Sequence, residues 1–162
     1  MSSTPLRLSK SAQSVQDVLA QKGLTFQVVE LEESTRTALE AANTIGCDVA
    51  QIIKSLLFRT KDTRKPVLVL ASGINRVNEK AIAHHLGEKI EKADANFTRE
   101  VTGFAIGGIP PVGHQQVLTT FIDEDLLKLD TLWAAAGTPF AVFSLHAKDL
   151  QNLTAGTIIS IK

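Results

Sequence analysis

The sequence has little cysteine, few aromatic residues and no excess of charge of either sign. Its single cysteine, Cys47, cannot form a disulfide within the chain, which favours a reducing compartment. Seventeen Lys and Arg residues balance seventeen Asp and Glu residues, so no overall positive field would attract a long nucleic acid. A nucleic-acid partner would therefore have to be met locally, at a terminus or at one small basic patch.

Long apolar runs are also absent. No stretch approaches the roughly 20 residues that a membrane-spanning helix needs, and Met1–Ser11 lacks the apolar segment of a signal peptide. We therefore expect a cytoplasmic protein with no membrane partner. A length of 162 residues is typical of one domain. We expect residues 1–10 to form a flexible tail and residues 11–162 to form a single compact domain.

Several catalytic motifs are missing. No Gly-x-Gly-x-x-Gly follows a predicted strand and there is no Walker loop, so use of a nucleoside triphosphate is unsupported. Four scattered histidines and one cysteine do not have the spacing of a zinc site, and we predict neither a metal nor a cofactor. Cys47 has no recognisable acid or histidine partner, and no Gly-x-Ser-x-Gly elbow exists. The chain therefore offers no convincing protein nucleophile.

Apolar periodicity, capping residues and glycines divide the chain into short helices and strands. Predicted helices cover residues 11–23, 37–46, 49–54, 78–86, 94–101, 123–129 and 147–153. Predicted strands cover residues 25–31, 55–60, 66–72, 89–92, 116–122, 132–136, 140–145 and 157–161. Because helices and strands do not alternate strictly, the pattern favours a mixed α/β (α+β) domain and not a Rossmann fold.

The most constrained stretch is Gly103–His114, in which four glycines and two prolines fall within twelve residues. Glycine permits positive φ and close backbone approach, and proline fixes its own φ. We predict a stiff loop whose main chain grips a small polar ligand; the alternative is a tight connection between strands. His114 at its end is either an acid, base or hydrogen-bond donor, or a histidine bonded to the backbone.

Lys54 lies within an otherwise apolar segment, Ile52–Phe58. A lysine among such neighbours either extends to solvent along its aliphatic stem or lines a cleft. In a cleft, its ammonium group would hold a phosphate or a polarised carbonyl.

These motifs occur together in one known family. Ser34–Ala38, Gln51–Phe58, Gly103–His114 and Ala136–Phe143 resemble the YbaK/prolyl-tRNA synthetase-associated editing domain family. The similarity runs from about residue 11 to the C-terminus.

The resemblance implies a single mixed α/β domain with a strongly curved central sheet flanked by helices. It also implies a trans-acting aminoacyl-tRNA deacylase, which hydrolyses the ester of a mischarged tRNA that carries alanine, cysteine or serine, on tRNA-Pro. Partners would be the tRNA acceptor end and, as a second candidate, an aminoacyl-tRNA synthetase; no metal would be required. The alternative is a non-catalytic module of the same fold that binds aminoacyl-adenosine or tRNA.

The resemblance also assigns roles to residues. Lys54 matches the essential lysine of the family and would hold either the terminal phosphate or the ester carbonyl. Gly108 is expected to take part in catalysis through its backbone, which would stabilise the oxyanion, and His114 by positioning the substrate. Expected substrate-binding residues are Thr37, Ile45, Phe104, Gly107, Ile109, Pro110 and Gly113.

Overall fold

The computed structural model describes residues 8–162, and all structural statements below refer to that range. The helices are α1 (Lys10–Gln21), α2 (Ala38–Ile45), α3 (Glu79–Leu86), α4 (Ala95–Thr102) and α5 (Leu150–Thr154). The strands are β1 (Val29–Glu30), β2 (Ile52–Thr60), β3 (Pro66–Ser72), β4 (Ile90–Lys92), β5 (Thr119–Asp123), β6 (Thr131–Ala135), β7 (Ala141–His146) and β8 (Thr157–Ile159). Short 3₁₀ turns occupy Val49–Gln51, Glu124–Lys128 and Ala147–Asp149.

All eight of these strands belong to one mixed sheet with the order β1-β7-β6-β2-β3-β5-β8, and β4 pairs with β2. The β2–β3, β2–β4, β6–β7 and β1–β7 pairs are antiparallel, whereas β2–β6, β3–β5 and β5–β8 are parallel. This arrangement confirms the predicted mixed α/β fold class.

One edge of β2 pairs with two different strands, β6 and β4, and a stretch of that edge lies unpaired between them. β6 pairs with Ile52 and Ile53 at the start of β2, and β4 pairs with Phe58–Thr60 at its end. The opposite edge pairs with β3 without interruption from Ile53 to Arg59. Among the described residues, no strand covers the first edge around Ser55. The sheet therefore has an opening in its middle.

The core lies on both faces of β3, and the continuous apolar run at residues 67–71 is typical of a strand that is covered on both faces. On one face, Leu68 and Leu70 join a cluster with Val15 and Leu19 of α1. On the other face, Val67, Val69 and Ala71 pack in a cluster with Phe58 of β2 and Ile82 of α3. A smaller cluster joins Ala41 and Ala42 of α2 to Ile52 of β2.

One predicted element is wrong and another is shorter than predicted. The helix predicted for residues 49–54 is only a 3₁₀ turn, because Ile52 and Ile53 pair with β6 and begin β2. The strand predicted for residues 25–31 is reduced to Val29–Glu30. The side chain of Gln16 bonds Phe26 O at 3.0 Å and Val28 N at 2.8 Å, so it replaces a strand partner there.

The N-terminal prediction is only partly within the described range. Of the tail predicted for residues 1–10, residues 1–7 lie outside it, and α1 begins at Lys10 with Ser9 as its cap. None of the helices within residues 8–162 combines the length and the apolar character that crossing a bilayer would require.

Candidate active site

Two cavities open beside the uncovered edge of β2. The narrow cavity, of ≈ 280 Å³, is lined by Thr35–Ala38, Ala41, Ile45, Ile52–Leu56, Ile106, Gly107, Ile109, Trp133–Ala135 and Val142. The wide cavity, of ≈ 650 Å³, is lined by Lys54–Phe58, Arg76, Val77, Glu79, Lys92, Ala93, Thr98, Ile106 and Ile109. Both include Lys54–Leu56, so they meet where the sheet is open.

The cavities differ in chemistry. The narrow cavity is mainly apolar, and its charged lining residues are the cations Arg36 and Lys54. The wide cavity combines Lys54 with Arg76 and Lys92, opposed by the single carboxylate of Glu79. The wide cavity is therefore suited to an anionic group, and the narrow cavity to a small side chain.

A network of hydrogen bonds fixes the head group of Lys54. Its Nζ donates to the main-chain oxygen of Asn75. The Asn75 side chain donates at 2.8 Å to Asp123 Oδ2 and at 2.8 Å to Asp125 Oδ2. Asp123 is fully buried and also accepts from Ser72 N at 3.0 Å. Two carboxylates therefore anchor the loop that holds the lysine.

The same loop approaches the start of β2 closely at Gly73. Its N–H donates to Ile52 O at 2.8 Å. A Cβ on Gly73 would lie 2.3 Å from Val49 O, a distance that no side chain tolerates. The absence of a side chain at this position therefore lets Asn75 reach Lys54.

The surroundings of Lys54 lower its pKa from the ordinary value. Burial is the main cause, because it disfavours the charged form, and the nearby charge of Arg76 acts in the same direction. The carboxylate of Asp123 opposes both effects. Lys54 is therefore a partly desolvated cation at the junction of the two cavities.

The expected catalytic role of Gly108 is not supported by its contacts. Its N–H donates to Ala105 O at 3.0 Å, and its carbonyl accepts from Gly137 N at 2.9 Å. A Cβ on Gly108 would lie 2.8 Å from Thr138 Cα. Gly108 therefore packs the loop against the turn at Gly137. Gly107 lines the narrow cavity instead, with φ +92, and its N–H has no partner among the described residues.

His114 lines neither cavity. Its Nε2 lies 2.7 Å from Pro110 O, and burial lowers its pKa from the ordinary value. A neutral ring must carry its proton on Nε2 to donate to that carbonyl. The geometry therefore favours the second interpretation of His114, a histidine bonded to the backbone, over a direct catalytic role.

The remaining predicted residues divide into two groups. Thr37, Ile45 and Ile109 line the narrow cavity. Phe104, Pro110 and Gly113 line neither cavity and are not placed to contact a ligand there. Phe104 is buried in the core, in the same cluster as Val101 and Val112.

Sequence reasoning missed several lining residues. Ser55 lies within the quoted Gln51–Phe58 motif, but only the opening in the sheet gives it significance. Trp133 lines the narrow cavity from β6. The only feature of the sequence that marks it as a candidate is that it is the sole tryptophan. Lys92 lies on β4 and reaches the wide cavity through strand pairing that no local pattern indicates.

Comparison with known proteins identifies the family. Residues 32–153 match the model of the aminoacyl-tRNA editing domain. This match covers most of the chain, so the protein belongs to the aminoacyl-tRNA editing domain family, which confirms the resemblance.

Three relatives place the chain more closely. Protein YwhH of Bacillus subtilis (strain 168), which is uncharacterized, is 30% identical over 144 residues, 89% of this chain and 91% of YwhH. The proline–tRNA ligase of Limosilactobacillus fermentum is 34% identical over 113 residues, 63% of this chain but only 20% of the ligase. A crystal structure of a protein proposed to be a trans-editing enzyme for prolyl-tRNA synthetase has 44% identity and a TM-score of 0.91, covering 96% of this chain and 99% of that chain.

Proposed function

We propose that this protein is a trans-acting deacylase that hydrolyses the ester between a small amino acid and the terminal adenosine of a mischarged tRNA. The observation that supports the proposal most directly is the junction of two unlike cavities at Lys54. The narrow cavity suits a small side chain. The wide cavity, with Arg76 and Lys92, suits a nucleotide and its phosphate.

The ester would then lie at the junction, beside Lys54. Because Arg76 and Lys92 are available to the phosphate, we assign the Lys54 ammonium to the ester carbonyl, where it stabilises the oxyanion. The N–H of Gly107 is a second candidate donor. A water oxygen attacks the carbonyl carbon, the bond between that carbon and the ribose oxygen breaks, and the ribose oxygen takes up the proton that the attacking water releases. This route needs no protein nucleophile.

The volume and the mainly apolar lining of the narrow cavity support a small amino acid as the substrate. We assign alanine, cysteine or serine to the narrow cavity, although a pocket discriminates one methylene by only about 1–3 kcal/mol. The similarity to a proline–tRNA ligase and to a proposed trans-editing protein favours tRNA-Pro. It also makes prolyl-tRNA synthetase the candidate protein partner.

Deacylation of a panel of tRNAs tests the proposal. The panel is tRNA-Pro charged with alanine, cysteine or serine, with prolyl-tRNA-Pro as the correctly charged control. We expect rapid hydrolysis of at least one small aminoacyl ester and none of the prolyl ester. Lys54→Ala should lower kcat/KM by roughly 100-fold or more, as expected for loss of an oxyanion-stabilising group.

Lys61→Ala is the matched control, because Lys61 is an exposed lysine in the turn between β2 and β3. It should hydrolyse the panel at the wild-type rate. If the wild-type protein binds the tRNAs without hydrolysing them, the non-catalytic binding module replaces the deacylase. Equal activity of Lys54→Ala and wild type would remove Lys54 from the mechanism.

A further inference from the structure

Ser55 carries a buried hydroxyl that nothing in the fold uses. Its Oγ has no hydrogen-bond partner among the described residues. Most buried polar side-chain atoms in native proteins have at least one partner. Ser55 also lines both cavities. An unused hydroxyl on a residue at the junction of two cavities is a candidate ligand contact.

The main chain of Ser55 is directed to the same place. Ile52 O accepts from Gly73 N, and Thr60 N donates to Lys65 O, so even-numbered residues of β2 bond toward β3. Odd-numbered residues bond toward the other edge, as Leu57 O does with Ala93 N at 3.2 Å. The N–H and C=O of Ser55 therefore face the opening between β6 and β4.

Hydrogen-bond chemistry limits what else in the narrow cavity can accept a bond. The side chains of Arg36, Lys54 and Trp133 can only donate. Thr35 Oγ1 donates to Pro139 O at 2.8 Å, and Thr37 Oγ1 accepts from Glu40 N at 3.1 Å. Both threonine hydroxyls are thus oriented by a bond within the fold, whereas the Ser55 hydroxyl has no hydrogen-bond partner within residues 8–162 and is free to accept.

The aminoacyl ester has one group that needs such an acceptor. Its α-amino group is attached to the carbon that also bears the side chain and the ester carbonyl. With the side chain in the narrow cavity and the carbonyl at Lys54, this group lies between them, where Ser55 is. We propose that the Ser55 hydroxyl, supported by the Ser55 main-chain carbonyl, binds the α-amino group of the substrate.

The inference rests on the proposed function and deepens it, because it adds a recognition element for a free α-amino group. Lys54 and Ser55 are neighbours on a strand and therefore project to opposite faces of the sheet. They reach one ligand because the sheet is open between β6 and β4. The site would consequently discriminate against acyl esters whose α-amino group is missing.

Two stable ligands test the inference at equilibrium. One is adenosine whose 3′ oxygen is replaced by an amide-linked alanine, and the other carries a propionyl group in place of alanine. They differ only in the α-amino group. The wild-type protein should bind the alanyl ligand about tenfold more tightly, the effect of roughly one hydrogen bond. Calorimetric titration gives both dissociation constants.

Variants of Ser55 test whether its hydroxyl causes the preference for the alanyl ligand over the propionyl ligand. Ser55→Ala should reduce the preference to about threefold or less, since the main-chain carbonyl remains, and Ser55→Thr should retain it. Ser144→Ala is the matched control, because Ser144 is a half-buried serine on β7 outside both cavities. It should keep the full preference.

The inference is overturned if Ser55→Ala keeps the wild-type preference, which includes the case in which the variant binds both ligands more weakly by the same factor. It is also overturned if the wild-type protein binds neither ligand or binds both equally well. The result is separable from the deacylation assay. A wild-type protein that distinguishes the ligands but hydrolyses no aminoacyl-tRNA would refute the proposed function and leave the Ser55 assignment standing. Hydrolysis of aminoacyl-tRNA by a protein that does not distinguish the two ligands would refute the Ser55 assignment and leave the proposed function standing.

Discussion

At the scale of single residues, Lys54 is held by a main-chain carbonyl, and no carboxylate within residues 8–162 forms an ion pair with it. Its ammonium group donates to a main-chain carbonyl, and the buried Asp123 acts through the side chain of Asn75. A cation held by a neutral carbonyl keeps more of its field for a ligand than one paired with a carboxylate. The arrangement therefore suits a group that must stabilise developing negative charge.

Titration of Lys54 should control ligand binding at alkaline pH. Because its folded-state pKa lies below the ordinary value of 10.5, affinity should be lost as pH rises through that lowered pKa. Lys54→Arg should keep its affinity to higher pH, since arginine stays protonated. The propionyl ligand is the appropriate probe, because it has no amino group of its own to titrate.

Lys54→Ala provides the baseline for that experiment. It should bind the propionyl ligand weakly, with no alkaline loss of affinity over the same range. Alkaline loss in wild type and Lys54→Arg alike would show that another group controls binding.

At the scale of elements, two loops complete the site around one strand. The loop that follows β3 holds Lys54 through Asn75. The loop that follows α4 contributes Gly107 and Ile109 to the narrow cavity. Gly108 ties this second loop to the turn at Gly137, and a Cβ on Gly137 would in turn lie 2.7 Å from Ser11 O. The site therefore depends on contacts among segments that are distant in the chain.

His114 should stabilise the second loop in a pH-dependent manner. Burial lowers its folded-state pKa below 6.5, so its contribution to stability is present above pH 6.5 and is lost as pH falls through the folded-state value. His114→Gln keeps an amide donor for Pro110 O and does not titrate. The variant should therefore lose less stability than wild type between pH 7 and pH 5, measured as Tm by calorimetry.

His85→Gln serves as the control, because His85 is exposed on α3. It should retain the wild-type pH dependence of Tm. Deacylation by His114→Gln at pH 7 should stay within about threefold of wild type. A much larger loss of activity with an unchanged Tm would restore the catalytic interpretation of His114.

At the scale of the whole molecule, balanced charge limits how tRNA can be bound. With equal numbers of basic and acidic residues, attraction depends on where the cations lie. Lys54, Arg76 and Lys92 line the wide cavity. Arg76 and Lys92 are the two cations assigned to phosphate, and contact of two cations with single-stranded phosphates predicts a slope of about −1.4 for log K against log salt concentration.

Two double variants would locate these contacts. Replacing Arg76 and Lys92 with alanine should bring the slope to about zero. Replacing Lys61 and Lys65, in the turn between β2 and β3, should leave the slope unchanged. Binding of deacylated tRNA, measured at several salt concentrations, gives the slope for each double variant. A reduced slope in the turn variant would place the tRNA on a surface away from the cavities.

The sequence alone determined the elements that local chemistry encodes, together with the family. The predicted helices begin at residues 78 and 94, and Asn78 and Asp94 cap α3 and α4 with their side chains; such starts are predictable because a cap and its helix are neighbours in the chain. The hairpin of β2 and β3 was predictable for the same reason. Lys54 and the glycine-rich loop were recognised as motifs. Their order identified the family that the comparison confirmed.

Only the tertiary structure decided how these motifs form a site. Ile52 and Ile53 join a strand and not a helix because β6, about 80 residues later, pairs with them. The N–H of Gly108, which would have to donate to an oxyanion, already donates to Ala105 O. Ser55 lies at the gap between β6 and β4, and these two strands are distant from each other in the sequence. Long-range pairing satisfies or exposes backbone groups in ways that no local pattern encodes.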